Sequence, residues 1–267
     1  QKQRIFDLLQ ENNKEENRYY KYDFFYDNCA TRIRDIVQET FTYQIQYDTS
    51  ALKKGTTMRQ LLQPYIEDKP WLDFGIDLVL GLPADRCASA SDFMFLPDYV
   101  HDLFAKAKVG ENIMLVKSER NIPESAPPST PFQPSPLERP LWITGFVAII
   151  GLLSMANPRT ERIFDTLFWF FLGVAGLVIA LLWFATDHSA TKNNLNILWA
   201  WPTHLFFFWR NRRTSAVENY FTAAAVAAAL LLIFWVWMPQ EMPTPALPLV
   251  ALIVVKGLWR RYWKRAN

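Results

Sequence analysis

The stretch "YDNCATRIRDIVQ", residues 26–38, places one of the chain's two cysteines directly after an Asp-Asn pair. Asp27 or Asn28 is a good N-cap, and the apolar residues that follow recur at helical spacing, so the pattern predicts a helix with Cys29 in its first turn. A thiol in that position faces unpaired backbone N–H groups and the positive end of the helix dipole, and Arg32 lies one turn away. Both features favour the thiolate, which is the form that acts as a nucleophile.

Two other interpretations of these residues stay open. In one, Cys29 is a small buried residue of a packed helix, and Arg32 and Asp35 form a solvated pair. In the other, Cys29 forms a disulfide with Cys87, since an even number of cysteines in an exported domain is often paired. Either interpretation would make Cys29 structural.

The carboxyl-terminal half has the composition of a membrane domain. The mean hydropathy of −0.03 hides a division of the chain, because residues 1–120 have an ordinary soluble composition and long apolar runs begin at residue 141. A helix needs about 20 apolar residues to cross the hydrocarbon core. Two runs reach that length, two are marginal, and one is both short and broken by Pro202 and His204. The five predicted crossings are 141–156, 163–186, 195–209, 220–238 and 246–259.

The basic residues between these runs predict the orientation of the chain, since Lys and Arg stay on the cytoplasmic side of short loops. If all five segments cross and residues 1–120 lie outside, Lys192 is the only Lys or Arg residue in the outer loops. We therefore predict a multi-pass protein of the cytoplasmic membrane with its carboxyl terminus inside. The inner positions are Arg159, Arg162, Arg210, Arg212, Arg213, Lys256, Arg260, Arg261, Lys264 and Arg265.

A proline-rich segment separates the two halves. Residues 121–140 favour extended polyproline geometry, so they are predicted to form a semi-rigid linker between a domain at 1–120 and a membrane domain at 141–267. An exported domain ahead of the first crossing requires an export signal, and the chain begins with Gln1 inside a helical pattern. We expect that an amino-terminal portion precedes these residues.

The stretch "YDFFYDNCATRIRD", residues 22–35, closely resembles the central motif of the periplasmic domain of Lnb-type lipoprotein N-acyltransferases of Bacteroidetes and relatives. Similar stretches lie at 70–86, 94–104 and 183–205. The resemblance implies an α+β, papain-like domain of the permuted NlpC/P60 type, represented here mostly by its helical part and followed by five transmembrane helices. It also implies that Cys29 is the nucleophile. The family's catalytic histidine is expected upstream of residue 1; if the chain is complete, His188 becomes the candidate.

A second group of polar residues lies in "TDHSATKNNLN", residues 186–196, which the topology places just outside the bilayer. Its members are predicted to form a rim that holds a lipid headgroup or a lipoprotein amine, since amides and hydroxyls suit ester and phosphate oxygens. The alternative is a solvated loop. His204, inside a predicted crossing, is either a helix-to-helix hydrogen bond or part of that site, and His101 is predicted to lie at the surface. The predicted rim consists of Asp187, His188, Thr191, Asn193, Asn194 and Asn196.

The resemblance implies a thiol-dependent acyltransferase. A membrane phospholipid would donate an acyl chain to Cys29, and the α-amine of a diacylglyceryl-cysteine lipoprotein would then take it. Asn28 and Thr31 are candidates for oxyanion stabilisation, with Arg32 and Asp35 fixing the helix. No motif predicts a cofactor, a metal site or nucleic-acid binding. The alternatives are a membrane-anchored, papain-like hydrolase of cell-wall peptides or lipids, and a non-catalytic scaffold with a Cys29–Cys87 disulfide.

Overall fold

The computed structural model describes residues 1–42, 44–110, 112–120, 139–207 and 214–262, with side chains through Trp259. These residues form two compact units that do not follow chain order. The thiol unit comprises Gln1–Leu61, Arg86–Thr130 and Asp187–Ala190. The apolar unit comprises Leu62–Asp85, Pro131–Thr186 and Thr191–Asn267. Residues 62–85 thus group with the apolar helices, and residues 187–190 group with Cys29, so the division cuts across the predicted boundary at residue 120.

Helices form most of both units. They are α1 Lys2–Asn13, α2 Cys29–Thr40, α3 Met58–Ile66, α4 Pro70–Val79, α5 Ala90–Phe93, α6 Pro97–Lys106, α7 Pro140–Ser154, α8 Pro158–Phe184, α9 His204–Phe207, α10 Ser215–Phe234 and α11 Leu247–Tyr262. Proline at the first position of α4, α6, α7 and α8 fits a site whose N–H would have no helical partner.

The thiol unit contains one small antiparallel sheet beside its helices. Its strands are β1 Ile45–Gln46, β2 Lys108–Val109 and β3 Ile113–Met114, in the order β1-β2-β3, with Ile45 opposite Val109 and Val109 opposite Ile113. Strands of two residues add little to the core, which instead packs α2 against α6 through Ala30, Val100 and Leu103. The described part of this unit is therefore mostly helical, and the papain-like fold stays a prediction.

Two helices of the described residues are long and apolar enough to cross a membrane: Pro158–Phe184, and Ser215–Trp237, in which α10 continues into a 3-10 turn. The apolar helices α7 and α11 are shorter, as their marginal length predicted. Small residues bring the helices together. A Cβ on Gly257 of α11 would lie 2.5 Å from the carbonyl oxygen of Phe221 on α10.

The predicted crossing at 195–209 differs from the other four. Leu195–Leu198 is a 3-10 helix, residues 199–203 are not helical, and α9 covers only His204–Phe207. Pro202 has no N–H to donate within a helix, which accounts for the interruption. Residues 208 and 209 lie outside the described residues. The number of crossings therefore stays a prediction.

The prediction that Lys256 is an inner-loop charge is wrong. Lys256 lies within α11 and is fully buried, because its Nζ is 2.9 Å from Oδ1 of Asp165 on α8 and 2.9 Å from Oγ of Ser154 on α7. A buried cation needs such partners. The structure does not describe the predicted linker over residues 121–138. It also does not describe five of the predicted inner-loop charges, which are Arg210, Arg212, Arg213, Lys264 and Arg265.

Candidate active site

Cys29 is the first residue of α2, and its side chain is exposed and free. Asn28 is the N-cap, with an extended backbone, and its Oδ1 accepts hydrogen bonds from the N–H groups of Ala30 and Thr31, both at 2.9 Å. The hydroxyl of Thr31 completes a capping box by accepting from the Asn28 N–H at 2.8 Å. The predicted helix start is therefore present, and the cysteine stands at it as an exposed thiol, unlike the buried residue of one alternative.

The side chain of Asn28 is fully used by the fold. Its Nδ2 donates to the carbonyl oxygens of Phe24 and Phe95, both at 2.9 Å, and the residue is only 5% exposed. Thr31 is completely buried and donates to the Asn28 carbonyl. Both N–H groups of the Asn28 side-chain amide and the hydroxyl of Thr31 therefore already donate hydrogen bonds within the fold. Neither side chain can stabilise an oxyanion as predicted unless it gives up one of these bonds. Both residues position Cys29 instead.

Arg32 binds Asp27, and not Asp35, with which the interpretation of Cys29 as a buried residue had paired it. The guanidinium forms a two-point contact with the Asp27 carboxylate, with Nη2 2.8 Å from Oδ2, and lies 3.9 Å from the ring centre of Tyr20. Hydrogen bonding to Asp27 raises the pKa of Arg32. The carboxylate thus neutralises much of the positive charge that the sequence placed beside the thiol.

Asp35 has a different partner on the same helix. Its Oδ1 accepts a hydrogen bond at 2.7 Å from Nε of Arg34. Arg34 also donates to the carbonyl oxygen of Ser91 at 3.0 Å, which ties α2 to α5. Asp35 therefore contacts its own helix through Arg34, and the supporting role expected of it stays a prediction.

The chain reaches Cys29 through a tight turn between Asp23 and Asp27, whose backbone groups exchange two hydrogen bonds of 3.0 Å. The loop Asp187–Ala190 packs on this turn. The N–H of Ser189 donates to Oδ2 of Asp23 at 3.2 Å, and Lys21 Nζ lies 2.8 Å from Oδ2 of Asp187. Burial raises the pKa of Asp23, but hydrogen bonds from Ser189, Tyr26 and Phe25 outweigh it, so the net pKa is lowered.

His188 therefore lies in a loop that is anchored on both of its sides to the segment leading into Cys29. Asp187 and Ser189, its two neighbours in the chain, make those contacts. That Asp187 and His188 approach the thiol itself stays a prediction. The signal in the sequence was a polar loop with a histidine in an otherwise apolar region.

Tyr22 is a candidate that the sequence argument did not select. Burial, and then the electrostatic effect of Cys29, raises the pKa of its hydroxyl. A raised pKa keeps the group protonated, so it can donate a hydrogen bond. The available signal was the alternation of aromatic residues in "YKYDFFYDNC", residues 20–29, in which Tyr22 directly precedes the turn between Asp23 and Asp27.

Cys87 is also free and exposed, and its Sγ is 3.9 Å from the carbonyl oxygen of Gly55. The backbone of Cys87 pairs with Thr57 in an isolated bridge. The disulfide predicted by the scaffold alternative is therefore not formed in the structure.

The rest of the predicted polar rim lies in the apolar unit and is used by the fold. Asn194 and Asn196 are completely buried, and their amides donate to the carbonyl oxygen of Leu78 at 2.8 and 3.2 Å. Thr191 is buried too and donates to the Leu182 carbonyl at 2.9 Å. The idea of an open rim is wrong for these three residues, because the hydrogen bonds that a ligand would need are already made. Asn193 has a left-handed backbone (φ 50°) and accepts from the Leu82 N–H through its carbonyl.

His204 and His101 are placed by other contacts. His204 is completely buried, its Nδ1 is 2.8 Å from the Tyr220 hydroxyl, and its ring lies 4.8 Å from that of Trp169. It therefore joins α8, α9 and α10, as the helix-to-helix alternative predicted. His101 is exposed and pairs with Asp102 and Glu119. Hydrogen bonds to these carboxylates raise its pKa.

The described residues contain no group of three or more His, Cys, Asp or Glu side chains suited to a metal ion. The candidate site consists of an exposed thiol at a helix start and of a histidine-bearing loop that is bound to the segment leading into that helix. Together with the long apolar helices, this arrangement defines a membrane protein that carries a domain with an exposed thiol at a helix start.

Comparison with known families identifies the chain more closely. The Lnb N-terminal periplasmic domain matches residues 1–64, and the Lnb transmembrane domain matches residues 128–266. The chain therefore belongs to the Lnb family, as a membrane protein with a periplasmic amino-terminal domain and a transmembrane domain, and the resemblance seen in its motif is confirmed. Comparisons with curated proteins and with solved structures gave no match.

Proposed function

We propose that this protein is a lipoprotein N-acyltransferase of the cytoplasmic membrane that uses Cys29 as its nucleophile. The observation that carries the proposal is the exposed, unpaired thiol at the first position of α2, held there by a buried and fully bonded cap. A structural cysteine has no need of that exposure. The family supplies the second argument, because both of its domains match this chain.

In the first step, the Cys29 thiolate attacks the ester carbonyl of a membrane phospholipid. The tetrahedral intermediate collapses with loss of the glycerol oxygen, which takes a proton and leaves as a lysophospholipid, and the acyl chain stays on sulfur as a thioester. The Asn28 side chain already accepts from the N–H groups of Ala30 and Thr31. We therefore propose the backbone N–H of Cys29 itself, together with the protonated Tyr22 hydroxyl, as the donors for the oxyanion.

In the second step, the α-amine of a diacylglyceryl-cysteine lipoprotein attacks the thioester. A C–N bond forms, the C–S bond breaks, and the amine loses a proton as the thiolate is restored. An amine attacks a thioester more readily than an oxygen ester, so forming the thioester makes the transfer to the lipoprotein easier. We propose His188 as a base for these proton transfers, because its loop is bound to Lys21 and Asp23.

A papain-like hydrolase is the second candidate, since the same thioester could be attacked by water. The transmembrane domain favours the transferase, because a hydrolase of soluble peptides has no use for an apolar unit of this size. The disulfide scaffold is disfavoured by the two free cysteines.

The test is the intact mass of the purified protein after incubation with phospholipid vesicles, before and after addition of a diacylated lipopeptide. We expect wild type to gain one acyl group, which the lipopeptide removes as a triacylated product. Cys29→Ala should gain none, and Cys29→Ser should acylate at least about 100-fold more slowly, because a hydroxyl is a much weaker nucleophile than a thiolate. In the same assay His188→Gln should slow acylation more than the matched His101→Gln.

Cys87→Ala is the control and should behave as wild type, since the sulfur of Cys87 lies 3.9 Å from the Gly55 carbonyl oxygen and Cys87 is not part of α2. An acyl adduct on the Cys29→Ala protein would contradict the thioester. Release of free fatty acid with no lipopeptide product would instead favour the hydrolase.

A further inference from the structure

The apolar unit contains a cavity of about 370 Å³ whose walls are almost entirely hydrocarbon. It lies between α4, which contributes Phe74 and Leu78, α7, which contributes Val147, and α8. Thr144 also lines it, but its hydroxyl is bonded to the carbonyl oxygen of Leu141 at 3.1 Å. The cavity therefore offers almost no hydrogen-bonding groups and suits a hydrocarbon chain.

The length of the cavity also fits such a chain. Its wall on α8 extends from Phe164 to Ala175, which at the rise of an α-helix is roughly 16 Å. Half of a hydrocarbon core that is about 30 Å thick measures about the same. One acyl chain of a phospholipid spans that distance.

A second cavity, of about 340 Å³, shares Phe74 with the first but is lined by charged residues. Arg139, the N-cap of α7, lies where the apolar helix begins and is exposed. Facing the same space are Glu67, Asp73 and Asp77. Asp73 accepts from Gln63 at 3.2 Å through Oδ2, whereas its Oδ1 is buried without a hydrogen bond in the described part of the chain.

We propose that these two cavities together form a phospholipid site, with an acyl chain in the first and the headgroup in the second. The charges select the headgroup. Arg139 can bind the phosphate through charge-assisted hydrogen bonds, and the carboxylates of Glu67 and Asp73 favour a headgroup that also carries an ammonium group. An anionic headgroup without an amine would meet these like charges with no ammonium group to pair with them. The ligand is therefore a zwitterionic phospholipid with a primary ammonium group, such as phosphatidylethanolamine.

This lipid would be the acyl donor, which rests on the proposed function, but its binding can be measured without any transfer. The test uses the full chain with Cys29→Ala, delipidated in detergent and returned to vesicles of equal parts phosphatidylethanolamine and phosphatidylglycerol. Native mass spectrometry of the re-extracted protein counts the lipids that stay bound. We expect phosphatidylethanolamine to be retained over phosphatidylglycerol by at least about fivefold.

Variants at the two cavities should separate their roles. Arg139→Gln should lower retention of both lipids, because both carry a phosphate, whereas Asp73→Asn should reduce the preference for phosphatidylethanolamine. Ala175→Phe fills the apolar cavity and should abolish retention. Ala223→Phe is the matched control, since Ala223 is exposed on α10 and lines neither cavity, and it should bind as the parent protein does.

Equal retention of the two lipids by the parent protein, or equal binding by Ala175→Phe and Ala223→Phe, would overturn the site. Failure of the proposed function would look different. A protein that binds phosphatidylethanolamine here but never acylates Cys29 would keep the site and lose the acyltransferase. Normal acylation of Cys29 in the Ala175→Phe protein would keep the acyltransferase and lose the site.

Discussion

Asn28 determines where the thiol of Cys29 stands. It accepts two hydrogen bonds from the first turn of α2 and donates two more, one of them to the Phe95 carbonyl, 67 residues further along the chain. The first pair can be predicted from the sequence, because an N-cap acts on its own helix. The bond to Phe95 cannot, since no local pattern shows which distant carbonyl an amide will meet.

Replacing Asn28 should therefore cost more than the loss of an ordinary cap. Asn28→Ala removes the cap and leaves the carbonyl oxygens of Phe24 and Phe95 without this donor, so we expect α2 to lose about 2–4 kcal/mol of local stability. Hydrogen exchange of amide groups in α2, measured on the full chain, gives this quantity. Asn17→Ala, at an exposed position, is the control and should change it by less than about 0.5 kcal/mol. Equal effects of the two substitutions would contradict the positioning role.

Asp92 should make the thiol unit sensitive to acid. Burial raises the pKa of this carboxyl, but hydrogen bonds from Arg86 and Ser89 outweigh it and lower the pKa to about 2, from 3.8. A group whose pKa is lower in the folded protein stabilises the fold above the unfolded pKa, and that stability is lost as pH falls from about 4 towards 2. The contribution at neutral pH is about 1–2 kcal/mol, because Arg86 is partly exposed and solvent screens the pair.

Asp92→Asn should thus melt below wild type at pH 6, and the difference should shrink as the pH is lowered through 4 to 2.5. Thermal unfolding of the full chain at each pH measures it. Asp7→Asn, on the exposed face of α1, provides the comparison and should stay close to wild type. A difference between wild type and Asp92→Asn that is constant over this range would show that the ion pair is not the source of the effect.

At the scale of elements, the start of α2 and the extents of α7, α8, α10 and α11 agree with the predicted runs, because hydrophobic length and capping residues are local properties. For the non-helical residues 199–203, the only local indication in the sequence is Pro202. What stabilises that irregular segment is its burial, since Trp199 and Ala200 pack inside the apolar unit. A Cβ on Gly176 of α8 would lie 2.1 Å from the Ala200 carbonyl oxygen. Non-helical backbone at membrane depth is tolerated where protein surrounds it.

Glycines at close helix contacts should be intolerant of even one added methyl group. Gly257→Ala places a Cβ 2.5 Å from the Phe221 carbonyl oxygen and 2.7 Å from the Ala225 Cβ, so α10 and α11 must separate, at a cost of about 1–3 kcal/mol. Thermal unfolding in one detergent should show a lower Tm. Gly145→Ala on α7 is the matched control, because its Cβ would meet open space. That change should be neutral or stabilising by up to about 1 kcal/mol, since alanine favours helix; a lower Tm for both would point to a general effect of the substitution.

At the scale of the whole molecule, the chain is not divided where its composition changes. Residues 62–85 have a soluble composition, yet Leu78 binds both buried asparagines of the apolar unit through its carbonyl. Residues 187–190 follow the long apolar helix α8 and group with the thiol unit. Composition predicts whether a segment can cross a membrane, but it does not specify partners that are distant in sequence. The grouping of His188 with Cys29 could therefore be proposed only from the polarity of its loop. The burial of Asn194 in a hydrogen-bond network was not predicted.

The orientation of the chain depends on the segment at 195–209. If it crosses, the charge distribution of the loops places residue 241 in the periplasm and the carboxyl terminus in the cytoplasm. If it turns back, the number of crossings is even and the carboxyl terminus lies in the periplasm.

We expect alkaline phosphatase fused after Glu241 to be active and enzyme fused after Arg213 or Arg265 to be inactive, because phosphatase folds only when exported. Activity after both Arg213 and Arg265, with none after Glu241, would mean that residues 195–209 enter and leave on the same side. The basic residues at 210–213 would then face the periplasm, against the tendency of Lys and Arg to stay in the cytoplasm.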